Sequence, residues 1–404
     1  MTHGVGGQSA AEALARLDRM TDGIAPITSE EHQARIDKLR GLMREQGHAA
    51  AYLHAGTNMT YFTGTRWYAS ERMVAVIVPC EGELQYIAPA FERDTLLSHI
   101  GIEGTLTTWE EHESPYKRLA EVLGSLGIEA GQLAIDEATP FFTFDGLRGA
   151  LPGIEFVGAQ ALTQACRSQK SRAELDLMQR AKDMTIEVHK AVATVLRPGI
   201  STQETTAFIE EAHKRVGAAG SSFCIVLFGE DSAYPHGVKT PKSLDAGDIV
   251  LIDTGCLLHG YNSDITRTYV FGEPTERHRE IWTLEKEAQA AAFAAARIGE
   301  PCGSVDDAAR AVIDAAGFGP GYALPGLPHR TGHGIGLDIH EGPYLVASDQ
   351  SLLAPGMCFS NEPMICVPGE FGVRLEDHFY MTEDGARWFT QPSHSIDDPF
   401  GLLA

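Results

Sequence analysis

Four acidic residues sit where apolar, strand-like runs ought to exclude charge. Asp253 follows Ile249-Val250-Leu251-Ile252, and Asp264 lies in Tyr261-Asn262-Ser263-Asp264-Ile265-Thr266-Arg267. Glu362 follows Phe359-Ser360-Asn361, and Glu376 lies in Val373-Arg374-Leu375-Glu376-Asp377. An unpaired buried carboxylate is strongly disfavoured, and pairing or metal coordination is the usual remedy. Any one of these residues alone reads as a structural ion pair or a surface side chain. Four of them, two on each of two groups of strand-like segments, read as a set. Strand parity does not place either pair on one face, because the intervening turns and any bulge are unknown.

A second cluster runs from His329 to Pro343 and includes His333 and His340, three histidines in twelve residues interleaved with glycines. Glycine lets a backbone approach a ligand closely. A lone histidine is more often a bystander, but here ring number and glycine spacing favour a site. His236, in Tyr234-Pro235-His236-Gly237, reads equally well as a turn residue. Four carboxylates and one imidazole form a hard, oxygen-rich ligand set that suits Mn(II), Fe(II) or Co(II), and Zn(II) less exclusively. Two divalent cations balance four carboxylates; one leaves the site strongly anionic.

The elements that must position these residues follow from periodicity and capping. Thr28 and Glu31 have capping-box spacing, Ile36, Leu39 and Met43 fall at helical intervals, and Gly47 marks a stop. Apolar runs at 49–53, 73–79, 84–88 and 132–135, with a helical segment at 115–126, give an alternating α/β pattern that ends near 165. Residues 1–27 read as a loose lead. From 171 the pattern changes. Ser171/Glu174 and Ser201/Glu204 open two helices, the first with Leu177, Ala181, Met184, Val188, Val192 and Val195 on one face. Strand-like runs follow at 222–228, 248–254 and 264–271. A helix near 276–297, another capped by Ser304 and Asp307, and runs near 357–365 and 373–381 repeat that order. Helices then strands, twice over, imply two similar packed halves, although no identity between them is visible.

Composition sets outer limits. The chain has 404 residues, 43% of them hydrophobic, which suits more than one folded domain. A net charge of -23 disfavours nucleic acid and anionic membranes as partners. Seven cysteines (80, 166, 224, 256, 302, 358 and 366) without a CxxC pair argue against a disulfide framework and a thiolate zinc site. No apolar run reaches the roughly 18 residues of a membrane span. The first residues lack the marks of a signal peptide, so a cytoplasmic location is expected, short of a trimmed export signal.

With these residues named, the chain resembles the prolidase and Xaa-Pro aminopeptidase family, whose catalytic domain is called pita-bread. The likeness runs over roughly 165–385. It is carried by Ile252-Asp253-Thr254-Gly255, the segment from Tyr261 to Thr268, the loop from His329 to Pro343, Asn361-Glu362-Pro363, and Val373 to Asp377. The earlier part is similar mainly in Asn58-Met59-Thr60-Tyr61-Phe62-Thr63-Gly64. The resemblance implies an α+β fold: a smaller α/β domain at 28–165, then a pita-bread domain of two similar halves at 166–404. It implies Asp253, Asp264, His333, Glu362 and Glu376 as metal ligands, with Asp264 and Glu376 bridging. It implies two divalent cations, Mn(II) foremost, with Co(II), Fe(II) or Zn(II) as alternatives. His340 and His236 match positions that meet the substrate and its tetrahedral intermediate; His329 and Arg374 match positions that bind around the proline.

The activity so implied is hydrolysis of the peptide bond preceding proline, in dipeptides or short peptides, by a homodimer. A water shared by two cations is acidified enough to attack a carbonyl near neutral pH. Glu362 is expected to relay its proton. Arg374 is a candidate partner for a carboxylate, because its planar fork binds one bidentately. The alternative is a pita-bread hydrolase or lyase acting on another small amide or a non-peptide substrate. Creatinase-like relatives lack the complete ligand set, which this chain retains.

Overall fold

Local chemistry fixes the ends of most helices in the computed structural model, which describes residues 2–403. Ser171 accepts from the Glu174 N–H, and the Glu174 carboxylate returns the bond to the Ser171 N–H at 2.8 Å. That reciprocal cap starts the Arg172–Val195 helix, and all six residues of the expected apolar face are buried. Ser201 and Glu204 open Thr202–Val216 the same way, and left-handed Gly217 (φ 106°) closes it. Thr28 caps Ser29–Gln46 by accepting from the Glu31 N–H, while the Glu31 carboxylate pairs with Arg35. Thr275 caps Glu276–Ala295.

One expected cap is absent. The helix Gly303–Ala315 starts before Ser304, with Cys302 as its cap residue and no side-chain cap bond. The Ser304 hydroxyl instead donates to the Pro301 carbonyl at 2.7 Å, and Gly303 packs against the Ala347 carbonyl, where a side chain would crowd.

The chain forms two structural units, Ile27–Arg167 and a second that joins Ser168 onward to the segment ending at Pro26. The first holds a six-stranded mixed sheet. In spatial order its strands are Gly104–Trp109, Leu84–Pro89, Ala75–Pro79, His48–His54, Gly131–Ile135 and Ile154–Gly158. Tyr52, Ile77, Ile87, Leu119, Leu133 and Leu147 build its core. The second unit holds an antiparallel three-stranded sheet of Ile265–Val270, Ile249–Gly255 and Phe223–Phe228. It also holds an antiparallel five-stranded sheet of Glu341–Leu345, Gly332–Gly334, Cys358–Asn361, Asp377–Thr382 and Gly385–Trp388. Leu251, Ile281, Trp282, Phe359, Val373 and Phe379 lie in its core. Burial of each such side chain stabilises by about 1.5–3 kcal/mol.

Two expectations change. The segment before Ile27 is not a loose lead. It contains the helix Ala10–Ala15, and its backbone bonds into the second unit through Gly6 N–H to Ala193 O, Gln8 N–H to Thr194 O and Met20 N–H to Val216 O. The runs near 357–365 and 373–381 are each two strands, split at Glu362 and at Glu376: Cys358–Asn361 and Met364–Val367, then Phe371–Arg374 and Asp377–Thr382. Among the described residues, no helix is long and apolar enough to cross a membrane.

Candidate metal centre

Asp253 lies on a fully buried strand, directly opposite Thr266. The same register pairs Thr254 with Ile265, and the Ser263 N–H bonds the Cys256 carbonyl. Asp264 therefore stands opposite Gly255, two residues from Asp253 and on its side of the sheet. Gly255 is required here, because a Cβ would fall 1.8 Å from the Ser263 carbonyl oxygen. Register thus answers what parity in the sequence left open.

The glutamates are placed differently. Asn361 opposes Asp377 and Met364 opposes Arg374, so one hairpin register runs through the break and sets Glu362 opposite Glu376. At that point the ladder bonds leave the hairpin. The Glu362 N–H donates to Thr331 O at 2.8 Å and the Glu376 N–H to Thr266 O at 3.1 Å. Pro363, with no N–H, adds no bond of its own. The Thr266 hydroxyl also donates to Glu376 Oε2 at 2.8 Å, so Glu376 is fastened to the strand that pairs with Asp253's and follows Asp264. Helix Glu276–Ala295 secures the same stretch: Gln289 donates to Leu375 O at 3.0 Å, and Glu285 accepts from the Leu375 N–H. Buried Arg267 bonds Glu376 O and pairs with Asp377.

Three overlapping groups result. Asp264, His333 and His340 form one, Asp264, Glu376 and His378 another, and His333, Glu362 and Glu376 the third. In each, one ligand atom per residue lies within 4.8 Å of the others. Asp264, Glu376 and His333 each belong to two groups. Asp253 falls in none of them; its Oδ2 is held by Arg374 at 2.6 Å.

His333 is oriented by its backbone and its ring. Its N–H donates to Ser360 Oγ, and Nδ1 lies 3.0 Å from the Gly334 carbonyl. A carbonyl can only accept, so the neutral ring keeps its proton on Nδ1 and presents the Nε2 lone pair. That nitrogen is 3.0 Å from Glu362 Oε1 and 3.8 Å from Asp264 Oδ2. Two acceptors so placed need a shared proton or a cation between them. Asp253 Oδ1 and Asp264 Oδ1 are buried acceptors without a donor among the described residues, the condition that a cation relieves. The residues present therefore fit a divalent metal.

The electrostatics agree. Burial pushes the Asp253 carboxyl up, partly offset by the Arg374 guanidinium. Burial, followed by the Glu376 and Asp253 charges, pushes Asp264 well above the usual carboxylate range. Burial and the Glu362 and Asp253 charges do the same to Glu376. Glu362 goes the other way: burial opposes it, but the hydrogen bond and charge of His333, with His329 and Arg374, hold it well below. Acids whose ionisation is suppressed only by one another and by burial favour cations.

Among the other expected residues, His340 is exposed, and its ring stacks edge-on to His333 at 4.2 Å between centroids. Burial and the His333 and Arg330 charges lower it to about 4. His329 donates from Nδ1 to Arg330 O, and its Nε2 is buried without a partner among the described residues. His236 is exposed and lines a cavity of about 650 Å³. Ile225, the residue opposite Asp253, lines it too, with Glu210 and Asp231. Arg374 departs from expectation. It is only 3% exposed, and its fork is engaged by Asp253, by Thr266 Oγ1 at 3.0 Å and by Pro235 O at 3.2 Å. A free bidentate grip on a substrate carboxylate is not what these donors provide.

The sequence reading missed His378, and with it the fastening roles of Thr266 and Ser360. His378 carried a signal: it lies two residues beyond Glu376, the spacing that returns to one face in extended chain.

The resemblances to known proteins converge on this architecture. Residues 176–383 match Metallopeptidase family M24, and residues 35–169 match the Creatinase/Prolidase N-terminal domain. The probable dipeptidase PepE of Mycobacterium tuberculosis is 34% identical, over 90% of this chain and 96% of its own. The crystal structure of dipeptidase PepE from Mycobacterium ulcerans superposes with a TM-score of 0.85 at 32% identity, covering 92% of this chain and 98% of that one. Recombinant prolidase from Thermococcus sibiricus gives 0.82 at 30%, covering 91% and 98%. The chain has the pita-bread fold behind a creatinase-type N-terminal domain, and family and site together make it a metal-dependent peptidase. By its sequence and its fold, this chain belongs to metallopeptidase family M24.

Proposed function

We propose that this chain hydrolyses the bond preceding proline in dipeptides, with Asp253, Asp264, His333, Glu362 and Glu376 holding two divalent cations. The observation that carries the reading is the convergence of Asp264 and Glu376, which bring ligand atoms within 4.8 Å of each other and each also reach His333 within that distance. Two carboxylates so placed suit bridging of two ions, and four carboxylates balance a charge of +4. The relatives' names, dipeptidase and prolidase, favour a dipeptide over a longer chain. Mn(II) suits the oxygen-rich ligand set.

When bound, the cations supply Lewis-acid polarisation and an acidified water. Glu362 takes and returns a proton, its Oε1 fixed by the Ser360 hydroxyl at 3.0 Å. His340 and His236 stand on the exposed side and supply N–H groups to the developing oxyanion. Arg374 holds Asp253. The amide before proline has no N–H to read, so the site reads ring shape and the terminal carboxylate. His329 is the residue we assign to the proline end, its ring oriented by the Nδ1–H bond to Arg330 O.

Ala-Pro, Ala-Pro-Ala and Ala-Ala, offered to metal-stripped enzyme with each cation added back, test the reading. Cleavage of Ala-Pro alone, restored by Mn(II) at two ions per chain, is expected. Cleavage of the tripeptide makes the enzyme an aminopeptidase instead. Equal turnover of Ala-Ala removes the proline claim.

A further inference from the structure

Two buried histidines approach the carboxylate cluster, and their far nitrogens differ. His333 Nδ1 has a carbonyl to donate to, which bares Nε2 for coordination. His378 has no such acceptor: its Nδ1 is buried and has no partner among the described residues. A metal-ligating imidazole almost always donates its other N–H to an acceptor. His378 does not meet that condition. Its proton belongs on Nε2, which lies 3.3 Å from Glu376 Oε1.

Glu376 is thereby held from both sides. Thr266 Oγ1 donates to Oε2 at 2.8 Å, and His378 faces Oε1. A carboxylate oxygen has two lone pairs, so each oxygen can accept one of these bonds and still coordinate a cation. The His378 ring is fully buried, and Ser360, the residue opposite it on the neighbouring strand, fastens Glu362. The geometry points to His378 as a positioning residue of the metal centre: its Nε2–H fixes Glu376 so that both carboxylate oxygens face the cations, without His378 being a ligand itself. This rests on the two-cation reading above.

Cobalt(II) titration of metal-stripped protein, followed by visible absorption, tests it. His378→Met removes the donor at similar volume; His378→Gln keeps a donor amide. The Met variant should weaken cobalt binding by about 10–100-fold, the usual effect of losing an outer partner of a ligand. Its spectrum should keep the coordination number of the wild type, and the Gln variant should stay within a few-fold of it. The melting temperature of the metal-free proteins separates this from misfolding, and if the Met variant does not fold, His378→Leu carries the same test. Wild type binding two cobalt ions while a folded, donor-less variant binds them equally well overturns the inference alone. A lower coordination number in that variant makes His378 a ligand and overturns it too. Wild type binding fewer than two ions removes the reading beneath it.

Discussion

The aspartate pair and the glutamate pair solve one problem in two ways. Asp253 and Asp264 lie diagonally across one hairpin register, whose regular pairing stops at Thr254 and Ile265, and a glycine opposite Asp264 makes room there. Glu362 and Glu376 face each other directly, and the ladder is interrupted there so that each backbone N–H bonds a strand outside the hairpin. The first arrangement depends on shape, the second on borrowed hydrogen bonds. The aspartate pair should thus be sensitive to added volume, and the glutamate pair to lost donors.

Removing a shared carboxylate breaks both arms at once and has the largest effect. Asp264→Ala or Glu376→Ala should abolish peptidase turnover and lower the bound-metal count, as chelation does reversibly; near-normal activity in either would contradict the ligand assignment. Next, Gly255→Ala drives a methyl group onto a backbone oxygen that cannot yield. It should destabilise the metal-free protein by about 3 kcal/mol or more in urea; an unchanged midpoint would show that the aspartate arm tolerates volume. Thr266→Val adds no volume but removes the donor to Glu376. Cation affinity should fall about 10–100-fold, beside a metal-free stability loss of roughly 1–3 kcal/mol because Arg374 Nε also loses its Thr266 acceptor; a calorimetric titration matching wild type would count against borrowed bonds. Ser360→Ala strips the partner of the His333 N–H and of Glu362 and should cost roughly 1–3 kcal/mol.

The smallest effect is a pH dependence confined to the aspartate arm. Below Asp264, Ser263 Oγ meets Thr185, which meets His213 Nε2 at 3.3 Å. Burial lowers His213 to about 4. Its folded pKa is depressed, so the stability it contributes is present above the unfolded value near 6.5 and is lost as pH falls toward 4. At pH 5.5 the loss is about 1.4 kcal/mol. His213→Gln should flatten that slope in denaturation series between pH 7 and 5; an unaltered slope assigns it to other groups.

Much of this was legible from residues close in sequence. Ser171 with Glu174 and Ser201 with Glu204 cap within one turn, so spacing reveals them. The carboxylates announced themselves by interrupting apolar runs. What stayed hidden depends on partners remote in sequence. The strand breaks at Glu362 and Glu376 exist because Thr331 and Thr266 take their N–H groups, and nothing local says so. Arg374 looked like a substrate-facing guanidinium because its engagement by Asp253 and Pro235 appears only in three dimensions. Ser304 misled in the opposite direction: a valid local cap signal lost to a helix that begins earlier.

The early attachment of the chain to its later half bears on how the protein is made. The helix Ala10–Ala15 and its flanks leave the ribosome before Ile27–Arg167, yet their docking surfaces, Ala193, Thr194 and Val216, come after all of it. Synthesis runs from the N-terminus and domains generally fold as units. The intervening sheet can therefore finish while the earlier segment still waits, and that segment docks only once the helices beyond Ser168 have been made.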